Sequence, residues 1–318
     1  METAFTRLVG CRHPLQQAAM GGVAGPELAG AVAAAGGLGM LCEFDVEPSS
    51  ERMTQALGLA GDGAVGMGFF GHWMHDDLAT FEEAAARLRL VEVFWSDPDA
   101  AMVERARRSG AARVAWQVGS VDGALAAADA GCDFVIAQGV EAGGHVRGTT
   151  PRDELLAAVI ARTSLPVLAA GGIGTAHDVA AEIGAGAAGV RVGTRFVATT
   201  ESRGHPTYLQ ALVNARSGED TVLTEAFSVG WPDAPHRVLR SAVEAAERFD
   251  GDVVGHVTRA GGRDDVRRFA VSTPSRDVEG DIAAMALYAG MAVGAVREVQ
   301  PAGEVVAELV SGLQSGVA

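Results

Sequence analysis

Eight short apolar runs succeed one another through the first 200 or so residues, and a segment of helical pattern fills each gap between them. The runs are Leu15–Met20, Gly37–Leu41, Ala64–Phe70, Val91–Ser96, Arg113–Val118, Phe134–Gly139, Pro166–Gly171 and Gly189–Phe196. Between them lie stretches such as PELAGAVAAAG, DPDAAMVERARRSG and VDGALAAADAG. Such alternation implies parallel strands joined by crossover helices, because parallel neighbours cannot be linked by a tight turn. Several runs are apolar throughout, as strands buried on both faces must be. Eight units in this length predict an α/β fold, a closed (β/α)8 TIM barrel. The rival doubly wound sheet is marked by G-x-G-x-x-G after its first strand, with an acid about 20 residues on. The stretch MGGVAG after the first run does not have that glycine spacing.

After Phe196 the rhythm changes. HPTYLQALVNA reads as a helix, and residues 220–281 are richer in charge, proline and glycine without clear alternation. They predict a small insertion or lid subdomain near the C-terminus, with GGRDDVRRFAVSTPSRD as surface loop. IAAMALYAGMAVGAV then reads as an apolar helix and AGEVVAELVSGL as a closing amphipathic one. The expected organisation is a cofactor-binding barrel over 1–219, the insertion over 220–281, and C-terminal helices over 282–318 that pack back on the barrel.

Composition removes several function classes. The 318 residues are 48% hydrophobic and 20% charged, enough for a sizeable core. Net charge is −15 and no basic patch is visible, which argues against nucleic acid and against an anionic membrane surface. All 25 basic residues are arginine. Without lysine there is no Schiff-base or pyridoxal-phosphate chemistry and no P-loop. Cys11, Cys42 and Cys132 lack C-x-x-C spacing, so they are expected to pack as small hydrophobes. METAFTRLVG does not read as a signal peptide and no apolar run is long enough to span a bilayer, so a cytoplasmic location is expected.

In a barrel of this kind ligands sit at the carboxyl ends of the strands, and phosphate often binds after the last two. The seventh run ends in AGGIG, followed by Thr175-Ala176-His177-Asp178 with capping-box spacing; the eighth ends in Gly193-Thr194-Arg195. Glycine turns expose backbone N–H groups, and a helix start adds positive partial charge, so a phosphate-anchored cofactor is predicted. Arg195 suits either a phosphate or a structural ion pair, and His177 a helix surface. The sixth run leads into QGVEAGGH, where Gly143 and Gly144 would let backbone approach a cofactor or substrate while aiming His145. Imidazole titrates near neutrality and can take a proton or donate a hydrogen bond. Glu141 is either a second acid or a brace for that turn. Gln17 to Met20 could run beneath a flat ring. His72 and His75, three apart, could share a metal, but no third ligand stands nearby, so no metal is expected and a pocket rim is preferred. Phe69, Phe70 and Trp73 suit a pocket wall or plain core, and Trp231, Pro232 and His236 a lid or a structural turn. His13, His205 and His256 are expected to be exposed. G-x-S-x-G and H-E-x-x-H are absent.

Three stretches together carry a resemblance: PLQQAAMGGVAGPELAGAVAAAGGLGML, QVGSVDGALAAADAGCDFVIAQGVEAGGHVRG and PVLAAGGIGTAHDVAAEIGAGAAGVRVGTRFVATTES. They resemble the flavin-dependent nitronate monooxygenases, once called 2-nitropropane dioxygenases. The likeness covers residues 11–202, weakens over the insertion and returns in MALYAGMAVGAV. Flavin-dependent enoyl-acyl-carrier-protein reductases share the same combination. The resemblance implies FMN as cofactor, with Ala18, Ala19 and Met20 against the isoalloxazine. It implies Gln117 and Gln138 at the ring or ribityl chain, Gly171, Gly172, Gly193 and Thr194 on the phosphate, and His145 as the residue that activates substrate. The implied reaction is oxidation of a nitronate or nitroalkane by O2 to a carbonyl compound and nitrite. The alternative is an NAD(P)H-dependent reductase of an activated alkene such as an enoyl thioester. A small-molecule substrate and O2 are the expected partners, and a homodimer stays open. Two positions depart from the family: Ala19 stands where proline is usual, and Gly68 where asparagine is frequent. The lost amide would leave room for a larger substrate or call for another donor.

Overall fold

In the computed structural model, which describes residues 1–43, 49–74, 78–110, 112–259 and 262–313, the eight runs become eight parallel strands of one closed barrel. They are β1 (Leu15–Gln17), β2 (Leu38–Cys42), β3 (Ala64–Phe70), β4 (Leu90–Phe94), β5 (Arg113–Val118), β6 (Phe134–Gln138), β7 (Val167–Ala170) and β8 (Gly189–Val192). β8 returns to β1 through Leu15↔Val190, Gln16↔Arg191 and Gln17↔Val192, which closes the ring. β1 and β8 are shorter than their apolar runs. After β8 the chain turns into a helical segment, Thr194–Val197, instead of extending.

Alternation along each strand divides the core in two. Inward-facing Leu38, Leu90, Phe134, Ile136 and Leu168 fill the barrel, and Phe5 of the helix Ala4–Val9 seals its amino end, edge-on to Phe134 at 5.4 Å between ring centroids. Outward-facing Val65, Val91, Val114 and Val190 pack beneath the helices with Leu28, Phe81, Leu155 and Val179. The predicted closing helix, Ala302–Val310, packs back against helices Pro26–Ala34 and Ala176–Gly184. An apolar plug at the amino end leaves the carboxyl end as the place for polar chemistry.

Residues 220–281 are more regular than the sequence suggested. Strands Thr221–Thr224 and His236–Leu239 pair antiparallel, and the second also pairs with a short strand, Gly144–His145, in the loop after β6. Helix Arg240–Arg248 follows, then a sheet of Val253–Arg259 between Gly262–Arg267 and Val278–Gly280. The expected surface loop therefore contains an edge strand. Its charged face is solvated and only Val266 is buried, which hides the strand pattern and blunts the edge.

The helix expected over 282–296 does not form. Two 3-10 turns, Ile282–Ala284 and Met291–Ala295, flank extended chain. Its backbone is used elsewhere: Leu239 N donates to Leu287 O at 2.8 Å and Met291 N to Glu141 O at 2.9 Å. Long-range pairing overrides the helical propensity of an alanine-rich segment. Among the described residues no helix is long and apolar enough to cross a membrane.

Candidate active site

A cavity of about 530 Å³ opens at the carboxyl ends of the strands. It brings together Ala18, Ala19 and Met20 after β1, Gln117, Gln138, Gly143, Gly144 and His145, Gly171 and Gly172 after β7, and Gly193 and Thr194 after β8; Gln17 stays in the core, its Oε1 accepting from Met40 N at 2.8 Å.

The floor holds a polar layer that sequence reasoning missed. Glu92 of β4 and Arg191 of β8 face each other inside the barrel, 1% and 8% exposed, with Arg191 Nη1 2.5 Å from Glu92 Oε1. Gln16 Nε2 donates to Glu92 Oε2 at 2.6 Å, and Arg191 also donates to Gln117 Oε1. Buried charges persist only when paired and hydrogen-bonded in this way. The available signal was a single charge inside each of two apolar runs, VEVF and GVRV.

His145 is held from several sides. Gly144, at φ 76°, makes the left-handed turn that lets His145 pair with His236. Gln138 Nε2 donates to the His145 carbonyl at 3.0 Å. Trp231 stacks on the imidazole at 3.9 Å and 22°, and the Trp95 and Tyr288 rings stand 5.8 and 5.6 Å away. Burial, then the neighbouring His236 and His72, push the His145 pKa down to about 3. Near pH 7 the ring is therefore neutral. Its Nε2 is buried with no hydrogen-bond partner among the described residues, as is Gln138 Oε1, and both residues line the cavity.

The surrounding turn separates cavity residues from supports. Trp231, from the segment 220–281, lies on the cavity, whereas His236 is fully buried and structural. His236 Nε2 accepts from Phe227 N at 3.1 Å, so the ring proton sits on Nδ1, which donates to Ala234 O at 2.8 Å. Trp95, unnoticed in the sequence, occupies φ 62°, a costly conformation for a bulky residue. The turn is tied down at Ser96, whose carbonyl accepts from Trp116 Nε1 at 3.0 Å and Arg147 Nη1 at 2.6 Å.

Other candidates resolve into supporting roles. Glu141 accepts from Arg152 N at 3.0 Å and braces the turn. Arg195 pairs with Glu308 and donates to Gly174 O at 2.6 Å, so it is a structural ion pair. The capping box forms as read, but Asp178 takes the Gly174 and Thr175 N–H groups at 3.0 and 2.9 Å. A phosphate at this end is left with the loops at Gly171-Gly172 and Gly193-Thr194. Gly171 and Gly172 sit at φ 107° and 64°. Gly143 is needed for packing, since a Cβ there would come within 2.4 Å of Gly290 N. Gly290 N in turn donates to Thr194 Oγ1 at 2.9 Å.

The two family departures are neighbours. A Cβ on Gly68 would meet the Ala19 methyl at 2.5 Å. The methyl takes the space that a side chain at 68 would need, so the loss of an amide there does not by itself enlarge the cavity. His177 is exposed, as expected; His13, His205 and His256 are instead half-buried. His205 caps its helix by accepting from Thr207 N at 3.1 Å, and His256 lies 2.8 Å from Asp265. The His72–His75 pairing falls partly outside the described residues, because His75 is not among them. Among the described residues no group of three metal-ligating side chains occurs.

Comparison with known proteins fits this architecture. The family described as nitronate monooxygenase matches residues 2–57 and 81–312. Nitronate monooxygenase npaC of Metarhizium robertsii is 31% identical over 319 residues, spanning 89% of this chain and 86% of that one. The (3aS,4S,5R,7aS)-5-hydroxy-7a-methyl-1-oxo-octahydro-1H-indene-4-carboxyl-CoA dehydrogenase of Rhodococcus jostii is 32% identical over 269 residues, 82% of this chain and 72% of that one. The solved nitroalkane oxidase of Streptomyces ansochromogenes superposes with a TM-score of 0.74 at 29% identity, covering 98% of this chain and 99% of that chain. A closed eight-stranded barrel, the glycine-lined cavity and these matches lead to one statement: the chain belongs to the nitronate monooxygenase family of flavin-dependent barrel oxidoreductases.

Proposed function

We propose that the protein binds FMN and oxidises a nitronate or nitroalkane with O2 to a carbonyl compound and nitrite, with His145 as the substrate-facing residue. The observation that carries this reading is the His145 Nε2: buried, without a hydrogen-bond partner among the described residues, and held by Trp231 in the wall of the cavity. The cavity suits the cofactor on chemical grounds. The glycine loops at 171–172 and 193–194, with Thr194, would hold its phosphate. Ala18 to Met20 would lie along the flat ring, and Gln138 Oε1, which lacks a donor, would accept one from it. Gln117, Gly143 and Gly144 complete its surroundings. When bound, FMN supplies an electron-pair acceptor that O2 can reoxidise.

A neutral imidazole offers one N–H donor and one acceptor nitrogen. Toward a nitronate, His145 donates to a nitro oxygen and orients the anion. Toward a neutral nitroalkane it takes the α-proton, while the C–H electron pair passes into the nitro group. An imidazole this hard to protonate keeps that proton only beside an anion, and the nitronate made by the same transfer is one.

A second reading is favoured by one observation, the 32% identity to a CoA-thioester dehydrogenase. On that reading the site serves an NAD(P)H-dependent reduction of an activated alkene. Anaerobic mixing separates the two. Bleaching of the flavin by ethylnitronate or propionate 3-nitronate, and not by NADH or NADPH, supports the first; the reverse pattern sinks it. Unchanged turnover in His145→Ala would remove the role given to that residue.

A further inference from the structure

We propose that residues 220–281 build a largely apolar compartment onto the site, so that its substrate class is nitronates whose hydrocarbon body is bulky and carries no further charge, in preference to short or carboxylate-bearing ones. The inference rests on His145 being the substrate-facing residue. Val257, Val266, Val271 and Val278, all from the insertion, line the same cavity as His145. Trp231 and Tyr288 connect the two regions. Trp231 stacks on His145 at 3.9 Å, and Tyr288 stands 5.6 Å from it. The Tyr288 hydroxyl donates to Val271 O at 2.8 Å, so it is already engaged with backbone. Beside His145 this region offers a ligand aromatic faces and valine methyls, and the polar groups it adds to the cavity wall, Ser272, Thr273, Ser275 and Asp277, include a carboxylate but no cation.

Charge points the same way. Two arginines line the cavity among the described residues, and each has a carboxylate partner: Arg191 with Glu92 at 2.5 Å and Arg203 with Glu27 at 3.4 Å. A carboxylate on the substrate body would have to displace one of those partners or be desolvated against valine, which is costly. The other side of the mouth brings no compensating amide, because Gly68 lacks a side chain and the Ala19 methyl fills its place. Apolar bulk, in contrast, is rewarded at about fourfold per buried methylene.

The test uses the flavin-loaded protein and a series of ethyl-, propyl-, butyl- and cyclohexyl-nitronate with propionate 3-nitronate. The expected result is kcat/KM rising about fourfold per added methylene, with propionate 3-nitronate at least about tenfold below propylnitronate. A flat series, or propionate 3-nitronate as the best substrate, overturns the proposal. A second arm does not depend on turnover: binding of unreactive cyclohexanecarboxamide and cyclohexanecarboxylate, read by calorimetry and by the shift of flavin absorbance. Amide binding without carboxylate binding upholds the compartment even where no nitronate is oxidised, in which case the nitronate reading alone falls. Carboxylate binding as tight as amide binding overturns the compartment. In a folded, flavin-bearing Val271→Arg variant the order should reverse, carboxylate over amide; an unchanged order refutes the assignment of this wall.

Discussion

Glu92→Gln should destabilise the protein far more than a one-atom change suggests. The substitution keeps the shape of the side chain and a carbonyl oxygen for Gln16 Nε2. It removes the charge that faces Arg191, which is only 8% exposed and has the Gln117 carbonyl as its other side-chain acceptor. Breaking a buried ion pair from one side costs about 3–5 kcal/mol, because the remaining charge stays desolvated. Unfolding entropy scales at about 2.1 cal/mol/K per residue, or roughly 0.7 kcal/mol/K for a chain of this length. The expected fall in Tm is therefore roughly 4–7 °C. Removing both charges together, as Glu92→Gln with Arg191→Leu, leaves no orphan and should recover much of that loss. The assay is thermal unfolding of the flavin-free protein through the double-mutant cycle, repeated with flavin bound. A Tm change below about 1 °C for Glu92→Gln, or strictly additive losses in the double variant, would refute the idea that the floor is a mutually dependent charge pair.

Stability should also depend on pH through His145. Its unfolded imidazole protonates below about 6.5, but the folded one stays neutral down to about 3. Between those values the unfolded state holds the extra proton, so this contribution is complete above pH 6.5 and is lost as pH falls, at about 1.4 kcal/mol per unit. His145→Phe should flatten the slope of urea-unfolding free energy between pH 6 and 4 by about one proton; parallel slopes in the two proteins would contradict it. Glycine substitutions should divide by backbone rather than by position in the barrel. Gly172→Ala meets φ 64° and a Cβ contact at 2.9 Å with Glu141 Cβ, and should lose about 1–2 kcal/mol together with flavin affinity. Gly184→Ala, at the end of a helix with nothing within 4 Å, should be neutral or slightly stabilising. Equal effects of the two in denaturant titration and flavin binding would count against the proposed cradle.

What was legible in the sequence was what local chemistry dictates. The barrel strands are buried on both faces, so each stands out as an apolar run. The turns after β6 and β7 need positive φ at Gly144, Gly171 and Gly172, so glycine marks them. What was hidden depends on pairings between distant segments. Residues 282–296 read as helix because alanine and leucine favour one. Their hydrogen-bond partners include Leu239 and Glu141, which no window of sequence connects to them. Trp231 was left between a lid and a structural turn for the same reason. Its place over His145 depends on the pairing of His236–Leu239 with Gly144–His145. The floor pair lies between these cases. Leu90, Glu92 and Phe94 share one face of β4, and buried Leu90 belongs to the barrel interior. Gly189 and Arg191 share the corresponding face of β8. Once eight strands are granted to close, a carboxylate and a guanidinium at interior parity have no water to turn to. Each requires the other, and the strand period together with barrel closure was enough to pair them.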